Sequence, residues 1–194
     1  MRLGVTGHRF LADVAKLRAA VEEALDLLIT AFPGRGLLLY SPLAEGADRL
    51  VARAVLNRPA AGLTVPLPLP PEDYAQDFAS DESRREFGAL LAQATEVVQL
   101  PPCASRNEAY EQVGRYVVDR VEALIAIWDG RGAQGRGGTA EVVTEALRLG
   151  RPVCHIWAGN YRPDEAKRAD VGAKHDTVRL ANFAGQIPGE WRNL

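Results

Sequence analysis

The chain has 194 residues, 47% of them hydrophobic and 25% charged, the mixture of a folded protein with one good core and not of a disordered or collagenous one. Lysine and arginine number 23 against 25 aspartates and glutamates, a formal charge of -2, so no global electrostatic footprint favours nucleic acid or an anionic membrane. Cys103 and Cys154 lie far apart without CxxC or Cys/His spacing, which reads as two reduced, largely buried thiols and not as a disulfide framework or zinc site.

The opening Met1 to His8 lacks the apolar stretch of a signal peptide, and no apolar run approaches the ~20 residues that span a bilayer. A cytoplasmic protein is expected. Segments with strand character alternate with amphipathic helices almost throughout, which predicts a Rossmann-like three-layer α/β/α fold with a mostly parallel sheet of about six strands.

The first strand is expected at Arg2 to Val5, followed by the turn Thr6-Gly7-His8-Arg9. Val14, Leu17, Val21, Leu25 and Leu28 then recur at helical spacing, and Pro33-Gly34 ends that helix. Leu37 to Tyr40 makes the second strand. After the loop Ser41 to Gly46, a second helix turns Ala47, Leu50, Val51, Ala54 and Val55 inward. Leu63 to Leu67 reads as a short third strand, and its flanking and internal prolines suit the rim of a sheet. Tyr74, Asp77 and Phe78 fall in a polar stretch before a helix that buries Phe87, Leu90, Leu91 and Ala94.

Glu96 to Leu100 is a fourth strand, and a helix from Arg106 to Arg120 follows. Ala123 to Trp128 is a continuous apolar run, as expected of a central strand covered on both faces. The glycine-rich segment Asp129 to Gly138, a helix from Thr139 to Leu149 and a strand from Pro152 to Trp157 complete the pattern. Periodicity fades beyond Ala158. We therefore expect one domain over 1–157 and an extension over 158–194 that packs on it or continues it.

In an open parallel sheet, ligands bind beyond the carboxyl ends of the strands where the strand order reverses. The unusual loops of this chain all belong to that edge. In the loop from Asp129 and Gly130 to Gly135, Gly137, Gly138 and Thr139, glycines let amides approach an oxyanion, and Thr139 opens a helix whose N-H groups favour negative charge. The spacing is neither a Walker A loop nor GxGxxG. His8 and Arg9 could meet a phosphate, or could be a hydrogen-bonded histidine and a solvated arginine. Glu45, Gly46 and Asp48 could bind a ribose hydroxyl or only favour the start of their helix. Arg106, Asn107 and Tyr110 share the start of another helix, where Arg106 suits a phosphate or carboxylate clamp.

Gly4-Val5-Thr6-Gly7-His8-Arg9, Glu45-Gly46-Ala47-Asp48 and Gly135-Arg136-Gly137-Gly138-Thr139-Ala140-Glu141 together resemble the SLOG superfamily, the Rossmann-like proteins that include the LOG phosphoribohydrolases, DprA and the YpsA-like proteins. Tyr74 to Phe78, Arg106 to Tyr110 and Ile127 to Gly130 resemble elements of the YpsA-like and defence-associated sensor branches. The resemblance runs from the first strand to about Trp157. It implies a nucleotide or nucleotide-derived ligand held by the Gly137-Gly138-Thr139 turn and the first-strand loop. The resemblance also suggests a homodimer, while the residues themselves point to no cofactor and no metal site.

LOG hydrolases carry a catalytic glutamate three residues after the threonine. Here that position is Val142, and Glu141 lies one residue earlier, a rotation of about 100° along a helix. The expectation is thus a nucleotide-binding or sensing protein, with N-glycosidic hydrolysis of a nucleoside 5′-monophosphate through Glu141 as the alternative. DprA-like binding of single-stranded DNA ranks behind both, because no basic, aromatic-interleaved stretch supports it.

Overall fold

The computed structural model describes residues 1–131, 138–161 and 171–183. In chain order they form β1 (Arg2–Gly7), α1 (Val14–Ala31), β2 (Leu38–Tyr40), α2 (Ala47–Leu56), β3 (Gly62–Leu67), α3 (Pro71–Ala75), α4 (Asp81–Leu91), β4 (Glu96–Gln99), α5 (Arg106–Arg120), β5 (Ala123–Trp128), α6 (Thr139–Arg148), β6 (Val153–Trp157), a 3-10 turn (Gly172–Lys174) and β7 (Val178–Ala181).

The strands make one sheet in the order β4-β3-β2-β1-β5-β6-β7. All neighbours are parallel except β6 and β7, which are antiparallel. The chain winds outward from β1 to β4, returns to place β5 against the other side of β1, and continues to β6. The order therefore reverses between β1 and β5, and the fold is Rossmann-like and doubly wound.

The layers follow from the alternation of side chains along each strand. Every residue of β5 is buried. Ala123, Ile125 and Ile127 join the larger core with Cys154 and Ile156, whereas Leu124, Ala126 and Trp128 join a smaller core with Val143, Ala146 and Val153. α1 packs on α2 over one face, and α5 packs on α6 over the other. α1 buries Leu17, Ala20, Val21, Ala24, Leu25, Leu27 and Leu28, where each leucine contributes about 1.5–3 kcal/mol. It ends where Phe32 donates its N-H to the Leu28 carbonyl, just before Pro33.

Two expectations are corrected. β3 is not at the rim, since it pairs with β2 on one side and β4 on the other. Gly62 donates to the Leu37 carbonyl and the Thr64 carbonyl accepts from Ser41, so alternate residues of β3 address β2. Pro66 is next in that series. β2 ends at Tyr40, opposite Thr64, so the missing proline N-H falls where β2 no longer runs alongside. The sheet also has seven strands and not six, because Val178–Ala181 adds β7 against β6. Within the same region Asn160 bridges to Leu11, and Tyr161 donates its N-H to the Phe10 carbonyl.

Candidate functional site

β1 and β5 run in register to their ends, Thr6 opposite Ala126 and Gly7 opposite Ile127. His8 donates its N-H to the Ile127 carbonyl at 2.9 Å, and beyond that bond the two chains diverge to opposite faces. At the divergence the His8 ring meets Asp129. The Asp129 N-H donates to His8 Nε2 at 3.0 Å, which in the neutral ring puts the proton on Nδ1. The Asp129 carboxylate lies 3.4 Å from the same nitrogen, with the two side chains only 13% and 8% exposed, and it also accepts the Arg131 N-H at 3.1 Å.

Glycines let the loops close around this point. A Cβ on Gly7 would lie 2.5 Å from the Ala47 Cβ and overlap the Ile127 carbonyl. Gly46 has φ +76, and a Cβ there would overlap the His8 and Arg9 carbonyls and lie 2.7 Å from the Arg9 carbonyl carbon. Ala47 donates its N-H to the His8 carbonyl at 3.1 Å, so the start of α2 is fastened to the loop after β1. Gly130, with φ +71, leaves room for the Trp157 ring, which a Cβ would approach to 2.6 Å. Trp157 stacks on His155 at 4.4 Å between centroids, and burial holds the His155 imidazole below its ordinary value. Gly138 and Thr139 are half-buried at the start of α6 on the same edge. Gly135 and Gly137 lie outside the described residues.

A second group of the expected site residues is tied to the segment from α3 to α4. Arg9 pairs with Glu45 at 2.8 Å and donates to the Asp77 carbonyl at 2.7 Å. Glu45 also accepts the Ala79 N-H at 2.9 Å and the Ser83 hydroxyl. Burial disfavours the Glu45 charge, but the hydrogen bonds from Ser83, Ala79 and Arg9 outweigh it and hold the carboxyl below its ordinary value. Arg106 donates to the Asp77 carboxylate at 2.8 Å, and the Tyr110 hydroxyl donates to the same oxygen. Burial and then this bond push the Tyr110 hydroxyl above its ordinary value. Asn107 is exposed on the first turn of α5. That turn is capped by Ser105, which accepts the Glu108 N-H, while the Glu108 side chain accepts the Ala104 N-H.

Asp48 faces its own loop. It is 5% exposed, accepts the Ala44 N-H at 3.2 Å and is hydrogen-bonded to Ser41, and burial pushes its carboxyl up to about 7. Sequence reasoning missed two residues of this region, Asp77 and Arg49. Arg49 is 1% exposed, donates to the Leu43 carbonyl at 3.0 Å and to the Ser83 carbonyl and hydroxyl, and lies over the Phe78 ring at 4.4 Å. No spacing in the chain announces either one, since the side chains they pair with, Ser83 for Arg49 and Arg106 for Asp77, lie 34 and 29 residues away. In the structure α2 is buried around nearly its whole circumference, so Arg49 goes inside with partners.

Glu141 is exposed in the first turn of α6. Val142, at the position where the LOG pattern has glutamate, sits over Gly114 of α5, 2.9 Å from where a Cβ on that glycine would stand. The described residues contain no group of three or more His, Cys, Asp or Glu side chains that could hold a metal. No described helix is long and apolar enough to cross a membrane.

Fold and edge together define a doubly wound α/β protein whose β1 and β5 loops meet at the topological switch point. Comparison with protein-family models gave no match, and comparison with curated proteins gave none either.

Proposed function

We propose that this chain binds a phosphate-bearing nucleotide or nucleotide-derived ligand at the carboxyl edge of the sheet, between the loop after β1 and the start of α6. The observation that carries this reading is the convergence at the switch point. Thr6 and Gly7 end β1 and His8 follows them beside Asp129 and Gly130, and the Gly138-Thr139 start of α6 opens onto the same edge. Amides at a helix start favour a phosphate, and the partly buried His8–Asp129 pair supplies polar groups beside it. The loops around them are closely fitted at Gly7 and Gly46, which suits a preformed site.

Calorimetry and thermal-shift screening with nucleoside mono- and diphosphates, NAD-related metabolites and cyclic nucleotides test the reading. A saturable stabilisation is expected, and Thr139→Glu, which adds a carboxylate where the phosphate sits, should abolish it. A folded sample that none of these compounds stabilises, or one whose response survives Thr139→Glu, would sink it. Hydrolysis of a nucleoside 5′-monophosphate ranks second. Its only support is Glu141 on the first turn of α6, and Val142 packs on α5. Release of free base from AMP that is lost in Glu141→Gln would reverse that ranking.

A further inference from the structure

A cavity of about 360 Å³ opens between the start of α1, the outer side of α2 and the beginning of α4. It shares Arg9, Glu45 and Gly46 with the edge described above but is not lined by Thr6, His8, Asp129, Gly130 or Thr139. We propose that it is a second small-molecule site, for a compact organic anion that combines a phosphate or carboxylate with an apolar body.

The charge inventory favours an anion. Arg9, Arg49 and Arg53 line the cavity against only two carboxylates, Glu45 and Glu86. Glu45 pairs with Arg9, and Glu86 is shared between Arg49 and Arg53. Arg49 is almost wholly buried, and its Nη2 has no hydrogen-bond partner, which is a costly state for a buried cationic donor. Arg18 adds to the crowd: after burial, the charges of Arg18 and Arg49 are what hold the Arg53 guanidinium below its ordinary value. An anion in the cavity offsets this excess of positive charge.

The cavity also touches Val14, the first residue of α1. That helix has 18 residues, no side-chain cap and no acidic residue in its first turn, so its positive end is not neutralised from within the turn. The carboxylate of the preceding Asp13 is engaged by Lys16 at 3.3 Å. The apolar part of the ligand is specified by Phe10, Leu11, Val14 and Leu50, and Tyr161, whose N-H bonds the Phe10 carbonyl, lines the cavity beside them. The volume is at the small end of ligand pockets, which suits one ring or a short chain.

Phenyl phosphate, inorganic phosphate and phenol separate the two requirements in a ¹H-¹⁵N NMR titration of the full chain. Saturable shifts at Val14, Leu50 and Tyr161 are expected with phenyl phosphate, weaker ones with inorganic phosphate, and none with phenol. Arg53→Gln should weaken phenyl phosphate by at least about tenfold. Val14→Glu gives an independent check, because a carboxylate there favours the helix start yet repels the ligand, so binding should fall while helical content holds. The proposal is overturned if neither anion moves these signals, or if both variants bind phenyl phosphate as tightly as the parent. It is also overturned if the shifts fall on Thr6, Gly130 and Thr139 instead, an outcome that would favour the switch-point reading. Failure of AMP to bind at the switch point leaves this test unaffected.

Discussion

Replacing Asp48 with Asn should remove one slope from the pH profile of stability. The carboxyl ionises near 3.8 in an unperturbed chain but only at about 7 in the folded protein, where burial dominates over the bonds from Ala44 and Ser41. It therefore binds its proton more tightly when folded. Its contribution to stability is complete below the unfolded value, declines as pH rises between the two, and is lost above about 7. The decline amounts to about 1.4 kcal/mol per pH unit and to about 4 kcal/mol over the whole interval. Asparagine keeps the shape and an acceptor for the Ala44 N-H but never ionises. Urea unfolding followed by tryptophan fluorescence, on parent and Asp48→Asn from about pH 5 to 8, gives the difference in stability at each pH. Asp48→Asn should gain on the parent steadily up to about pH 7 and hold that advantage beyond, with m-values unchanged. A difference that does not vary with pH, or one that moves in favour of the parent as pH rises, would refute the assignment.

Gly46→Ala should cost at least about 3 kcal/mol, because the position combines φ +76 with two carbonyl oxygens where the methyl must go; thermal unfolding by circular dichroism reads this directly, and a loss below about 1 kcal/mol would show that the loop relaxes. Tyr110→Phe removes one of the two donors to the Asp77 carboxylate while Arg106 remains. A loss of about 1 kcal/mol is expected in urea titrations, modest because the pair is only partly buried.

The regular elements were legible where local chemistry decides them. The range of α5 follows from its capping serine, and β5 from an apolar run buried on both faces. The meeting of Thr6–His8 with Asp129–Gly130 could also be foreseen, since a parallel sheet delivers its carboxyl ends to one edge. What failed depended on distant partners. The interior place of β3 turns on β2 being three residues long, a fact that Pro66 by itself argues against. β7 escaped notice because four residues, Val178 to Ala181, of which only Val178 is buried, carry too little pattern to register. Arg9, Glu45, Arg106 and Tyr110 read individually as ligand contacts, yet each is engaged by the segment from Asp77 to Ser83. Side-chain pairings that span from 29 to 68 residues leave no periodic trace.

The two cysteines stand on opposite sides of the fold's boundary. Cys154 lies in the interior of β6, fully covered, and burial pushes its thiol far above its ordinary value. Cys103, contrary to the expectation that both thiols are largely buried, is partly exposed in the loop before α5. A thiol reagent therefore meets one site in the native protein, whereas the other yields only when β6 parts from the layers that cover it. The chain thus carries its own clock for opening of the sheet around β6, the strand next to the β7 edge, readable by mass without any added label in the sequence.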